Sequence, residues 1–282
     1  MTTEIVVARR KVFRKSLVIP TEHGSWSWLL VPFFIGTAVA GTIAGNGGRL
    51  ALLPLVLALV GGLCAFLVRQ PAAAWLRIRQ GQARRADEPL AAAWTLGLTS
   101  AAGLCLVGLL ALGRTALLWL VIPFAVVLLL YLGAARSGRA GMRALRMELI
   151  GAVGLALMAP AAVIAATGHL SGPIWALWGL MGLQNALGVL YVRLRLADTH
   201  QRPAGRSSVL WGHALGLAAV VTAGVLVWMP LLVALPFVGV LLRAVWAVRR
   251  SRPVPDVRRF GFTEVAVEVL SAAWIAAAYW MS

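Results

Sequence analysis

The chain has 282 residues, of which 61% are hydrophobic and 12% charged, with a mean hydropathy of +0.86. Ordinary soluble domains carry about twice that charge fraction, so the composition excludes a soluble fold and points to a polytopic membrane protein. The net charge of +17 suits anionic lipid headgroups; nucleic acid is excluded as a partner, because no soluble domain or basic-aromatic platform is present.

Residues 1–18 form a basic tail with Arg9, Arg10, Lys11, Arg14 and Lys15. It lacks the small-residue cleavage pattern of a secretory signal and is expected to be retained. The stretch Ile19-Pro20-Thr21-Glu22-His23-Gly24-Ser25-Trp26-Ser27-Trp28 then leads from water into lipid. Pro20 and Thr21 predict a helix start, with Glu22 in the first turn, where the helix dipole favours a carboxylate. Trp26 lies one turn further on the same face. The stretch reads either as an interfacial anchor or as the opening of a polar pocket at Glu22 and His23, completed by other helices.

Nine spans are predicted, at about 24–44, 50–69, 90–112, 115–135, 147–168, 172–193, 207–228, 230–248 and 261–280. They make a single transmembrane domain over residues 19–282. Gly45-Asn46-Gly47-Gly48, Gly168-His169-Leu170-Ser171-Gly172-Pro173 and Met229-Pro230 are turn signals. The breaks at 70–89, 136–146, 194–206 and 249–260 are basic instead. With the N-terminus in the cytoplasm and the C-terminus outside, 24 of the 26 Lys and Arg residues fall on the inner side. Only Arg49 and Arg114 fall outside, which supports both the span count and this orientation. Most of the twelve tryptophans sit near span ends, as aromatic belts do.

Polar residues also recur inside the inner helix ends. If span six continues past Arg193, then Gln184, Tyr191, Arg195 and Asp198 share one face, at spacings of 7, 4 and 3. Gln184 and Asn185 lie two to three turns inside the apolar region, where an amide needs a partner helix or a ligand. Arg193 taken alone can snorkel to the headgroups. Span nine carries Glu264 and Glu268, four apart on one face, and Glu268 is deep enough to need a partner or a proton. Span five opens with Arg143, Arg146 and Glu148, and span two ends at Arg69-Gln70-Pro71. These groups can lock the bundle as ion pairs or line a cavity for an anionic or amphipathic ligand, since guanidinium forks match phosphate oxygens. Cys64 and Cys105 fall inside apolar runs as small core residues, and His169 and His213 read as structural. No metal-ligand, Walker, haem or dinucleotide pattern occurs, so neither a metal site nor a cofactor is expected.

The run Pro20-x-Glu22-His23-Gly24-x-Trp26 resembles the opening motif of the YwiC-like family of bacterial membrane proteins. Arg69-x-Pro71, Asn185 with Tyr191-x-Arg193, and Gly261-x-x-Glu264 extend that resemblance. It implies a multi-pass protein of the bacterial cytoplasmic membrane and little about chemistry. More distantly the chain is similar to the UbiA intramembrane prenyltransferases, which implies an all-α, nine-helix bundle around a cytoplasm-facing cavity. UbiA enzymes hold Mg²⁺ on aspartate-rich loops after helices two and six. Here the first place has Arg69, Trp75, Arg77 and Arg79, with no carboxylate before Asp87. The second has Arg193 and Arg195, with Asp198 as its one acid, a poor Mg²⁺ clamp.

The expectation is therefore a protein that binds, and in an enzymatic version modifies, an isoprenoid, quinone-like or phosphorylated lipid without metal. Arg69, Trp26, Gln184, Asn185, Tyr191, Arg193, Arg195 and Asp198 would contact it, the arginines holding the anion. Glu22, His23, Glu264 and Glu268 would handle protons. The alternatives are a transporter or permease using Glu268, and a structural or assembly subunit of a membrane complex.

Overall fold

Lipid offers the backbone no hydrogen-bond partners, so a chain this apolar must satisfy its peptide groups within each segment. The computed structural model describes residues 15–19, 24–43, 51–136 and 144–282, and every regular element among them is helical. Nine spans among the described residues are long and apolar enough to cross a membrane. They are built from α1 (Gly24–Ile43), α2 (Leu52–Arg79), α3 (Glu88–Ala111), α4 (Leu118–Arg136), the pair α5 (Leu145–Leu155) and α6 (Met158–Thr167), α7 (Gly172–Thr199), α8 (Arg206–Val225), α9 (Ala234–Arg249) and α10 (Val257–Trp280). The predicted helix start at Pro20 and Thr21, together with Glu22, His23, Arg143 and the Gly45–Gly48 turn, lies outside the described residues.

The fifth span is two helices, and Pro160 is the reason. Proline has no N–H and its ring clashes with the carbonyl four residues back, here that of Ala156. That carbonyl accepts instead from the Ala159 N–H at 3.0 Å, and the helix restarts at Met158 with proline in its first turn. Ala159, Ala162, Val163, Ile164 and Ala165 are all fully buried, which makes α6 the centre of the bundle.

Small residues let α1 lie directly on α6. A Cβ built on Gly36 would sit 2.9 Å from the Ala159 Cα and closer still to its carbonyl oxygen. Backbone meets backbone there, and neither can step aside. Gly36→Ala is expected to cost about 1–3 kcal/mol by overpacking, read as a lower melting temperature in detergent. An unchanged melting point would mean that α1 and α6 can part freely.

Three helices run further than their apolar content. Span two was expected to end near residue 69, but α2 continues through Pro71 to Arg79. Span six was placed at 172–193, and α7 extends to Thr199, carrying the whole Gln184-to-Asp198 row. Span nine starts four residues before the expected 261, because the Asp256 carboxylate accepts from the Arg258 and Arg259 N–H groups at 2.9 and 3.1 Å and caps α10. Hydropathy marks contact with lipid, whereas the helix ends where its backbone bonds end.

At the end of the bundle opposite the basic breaks, α6 closes on Gly168, whose φ of +81° is the left-handed region glycine favours. The Arg114 side chain rests against Gly168, where a cation matches the negative end of the α6 dipole. The outer surface is apolar, as at Leu104, Leu129 and Trp211, and presents lipid-facing side chains around the bundle.

Candidate functional site

The arginine-rich end is where α1, α8 and α10 begin and α2, α7 and α9 finish. The first turn of α1 is the hub of an inner polar layer. Arg69 Nη2 on α2 donates to Ser25 Oγ at 3.2 Å, and its guanidinium lies 4.3 Å from the Phe66 ring centre. Trp26 packs edge-on against the same Phe66, 5.1 Å between ring centres. Ser27 Oγ lies 2.7 Å from Glu268 Oε2 on α10 and 2.9 Å from the Gly24 carbonyl, so its one proton serves one of the two acceptors at a time. Gln184 Nε2 donates to the Glu268 backbone carbonyl at 3.0 Å.

Asn185 does a different job from its neighbour. Its amide donates to the Trp28 carbonyl at 3.1 Å and the Ala152 carbonyl at 3.0 Å, tying α7 to α1 and α5 from a fully buried position. Both amide protons are consumed by backbone, as an amide in an apolar region requires.

A second layer lies nearer the end. Arg243 on α9 forms a two-pronged pair with Glu264 on α10, Nη1 to Oε1 at 3.0 Å and Nη2 to Oε2 at 2.9 Å. The same guanidinium stacks 3.9 Å from the centre of the buried Tyr191 ring. Phe260 flanks Tyr191 with 6.3 Å between ring centres. One turn on from Tyr191 along α7, Arg195 is 9% exposed, and its charge reaches both Tyr191 and Glu264. Its Nε and Nη1 are buried without a hydrogen-bond partner, and so is Nε of Arg243. Three guanidinium nitrogens thus lie unsatisfied around one tyrosine and one carboxylate. A buried cationic donor lacking an acceptor is costly, and phosphate-type oxygens are the acceptors whose geometry suits it.

Two further charge pairs at this end hold the fold. Arg206 Nη2 pairs with Asp198, whose side chain is nearly inaccessible; Nη1 donates to the Val248 carbonyl at 3.1 Å, and Nη2 also reaches Ser251 Oγ at 2.8 Å. Ser251 in turn donates to Asp198 at 3.2 Å, and the Val254 N–H donates to Thr199 Oγ1 at 2.9 Å. Together they pin the 250–255 loop to the end of α7. Arg193 faces the other way, paired with Glu148 of α5 at 2.9 Å.

The structure therefore divides the sequence-predicted residues into groups. Tyr191, Arg195 and Glu264 come together; Arg69, Trp26, Gln184 and Glu268 stand in the inner layer; Asn185, Arg193 and Asp198 have partners of their own. Arg243, Ser27 and Arg206 were not anticipated as site residues. Arg243 had a visible signal: it interrupts the apolar run Val238-Gly239-Val240-Leu241-Leu242, as Gln184 interrupts that of α7. Serine and a helix-start arginine carry no such signal. His213 is fully buried, with Nδ1 2.7 Å from the Val209 carbonyl; a carbonyl only accepts, so Nδ1 bears the proton.

No curated protein and no solved structure matches the chain. A family model described as YwiC-like protein matches residues 19–163, which covers the α1 hub, Arg69 and Glu148 and stops before Tyr191, Arg195, Arg243 and Glu264. The match spans more than half of the chain, and the protein belongs to the YwiC-like family of membrane proteins.

Proposed function

We propose that this YwiC-like protein binds an anionic lipid-like ligand, with a phosphate-type head, at Arg195 and Arg243. The supporting observation is Arg195 itself, a buried guanidinium whose Nε and Nη1 have no acceptor. Within a protein a hydrogen bond to a charged group is worth about 1.5–3 kcal/mol, so two such bonds would discriminate strongly for an anion. Tyr191 supplies a flat wall, and Glu264, held by Arg243, excludes anions that cannot compete for that arginine. On this proposal the arginine-rich end faces the cytoplasm of a bacterial inner membrane, in keeping with the positive-inside rule. The ligand head then enters from the inner leaflet without a metal ion.

The test is native mass spectrometry with lipid identification on gently solubilised protein. Wild type should retain a phosphorylated or isoprenoid amphiphile that Arg195→Met lacks. Identical bulk phospholipid on both would sink the proposal.

A second observation supports a transporter instead. Glu268 Oε1 and Gln184 Oε1 are both buried acceptors lacking a donor, the kind of pair that takes up a proton or cation during transport. Proteoliposome flux lost in Glu268→Gln and kept in Arg195→Met would favour that second reading.

A further inference from the structure

Helices α9 and α10 are consecutive in the chain, yet they stand apart over much of their length. Between them runs a groove of about 450 Å³, within the usual range of ligand sites, roughly 300–1,000 Å³. Leu235 and Gly239 line it on α9, Val267, Leu270 and Trp274 on α10, and Arg243 closes it toward the arginine-rich end. Gly239 borders open space: a Cβ built there meets nothing within 4 Å. From Leu235 to Arg243 the helix rises about 12 Å. Leu235 and Leu270 are both exposed, 51% and 71%, so the groove opens sideways to lipid rather than to water.

Arg243 belongs to both places. Its guanidinium is part of the cluster with Tyr191, Glu264 and Arg195, and its side chain forms the end wall of the groove. The geometry points to one occupant: an amphiphile whose phosphate-type head sits at Arg195 and Arg243 and whose single hydrocarbon chain lies between α9 and α10, entering laterally from the bilayer. This inference rests on the head site proposed above and adds the chain slot and the route. The charge pattern supports it, since apart from the Ser271 hydroxyl the groove is lined by apolar residues and glycine, and it is cationic at one end only.

The energetics assign separate roles to the two parts. A chain that leaves lipid for the groove gains nothing from exclusion of water, because lipid tails are as apolar as leucine. Affinity therefore resides in the head, and the groove acts by shape. Filling the groove should displace the chain without touching the donors.

The test uses full-length protein in phosphatidylcholine nanodiscs and dodecyl phosphate bearing a diazirine at the far end of its chain. Irradiated wild type should carry the label on the 235–240 and 267–274 segments. That labelling should be lost in Gly239→Trp and, as a second groove-filling change at an exposed position, in Leu270→Trp. It should also be lost in Arg195→Met, while a diazirine dodecanol control labels the lipid-facing surface evenly in every variant. Arg195-dependent retention of the probe, with label elsewhere and indifferent to both tryptophans, would overturn the groove and leave the head site standing. Retention that does not depend on Arg195 would overturn the head site and this inference with it. Label displaced by bulk phospholipid, or by a second copy of the chain crosslinked across α9 and α10, would likewise exclude the single-chain occupant.

Discussion

Arg195→Met is expected to melt at a higher temperature than wild type once ligand has been stripped, and at a lower one when ligand is present. The guanidinium of Arg195 is buried with two nitrogens unsatisfied, and Glu264, the carboxylate its charge acts on, is already held on both oxygens by Arg243. Taking an ion out of water costs several kcal/mol even after relaxation, and a partner that is already engaged repays little of it. Methionine keeps the apolar stem and removes the charge. A gain of about 1–3 kcal/mol in the stripped protein is expected, on the scale found when whole buried ion pairs or triads are replaced by apolar groups. Ligand reverses the order because it stabilises only the state that binds it. That reversal of order on adding ligand is what a binding role for Arg195 predicts. If Arg195→Met melts lower under both conditions, the arginine is a structural tie and the site is misassigned.

The Arg243–Glu264 pair should behave in the opposite way. Both side chains are largely withdrawn from solvent, 23% and 15% exposed, and the pair is two-pronged with Arg243 also stacked on Tyr191. Removing the arginine alone leaves a carboxylate inside an apolar segment. Arg243→Met should therefore cost about 3 kcal/mol, the lower end for breaking a buried pair, since some exposure remains. Glu264→Met should cost less, because the freed guanidinium keeps the Tyr191 face. The double change should recover most of the loss, as both charges are then gone. Denaturation of the four proteins in one detergent reads this cycle. A double variant as unstable as the sum of the singles would mean that the two side chains do not form a pair.

Much of the fold was legible because lipid imposes simple rules. Long apolar runs separated by glycine turns or arginine clusters mark spans, and the nine expected stand among the described residues. Helix periodicity also placed Gln184, Tyr191, Arg195 and Asp198 along one row of α7. Partners were not legible, since they come from helices far away in sequence. Nothing local says that Ser27 will meet Glu268 or that Arg243 will cover Tyr191. For the same reason Asn185 and Arg193 looked like ligand contacts, whereas Asn185 spends its protons on two backbone carbonyls and Arg193 pairs with Glu148. The break in the fifth span was written in Pro160, but it depends on which carbonyl the proline ring meets.

The most direct test of the anion site is saturable binding of dodecyl phosphate to protein in phosphatidylcholine nanodiscs. Wild type, Arg195→Met, Arg195→Lys and Arg193→Met should be measured side by side. Binding should be intact in wild type and in Arg193→Met, whose native arginine is engaged with Glu148. It should weaken in Arg195→Lys, which keeps the charge and loses the planar fork. In Arg195→Met it should fall by about tenfold or more, the loss of at least one charge-assisted hydrogen bond. Equal affinity in wild type and Arg195→Met would contradict the proposal.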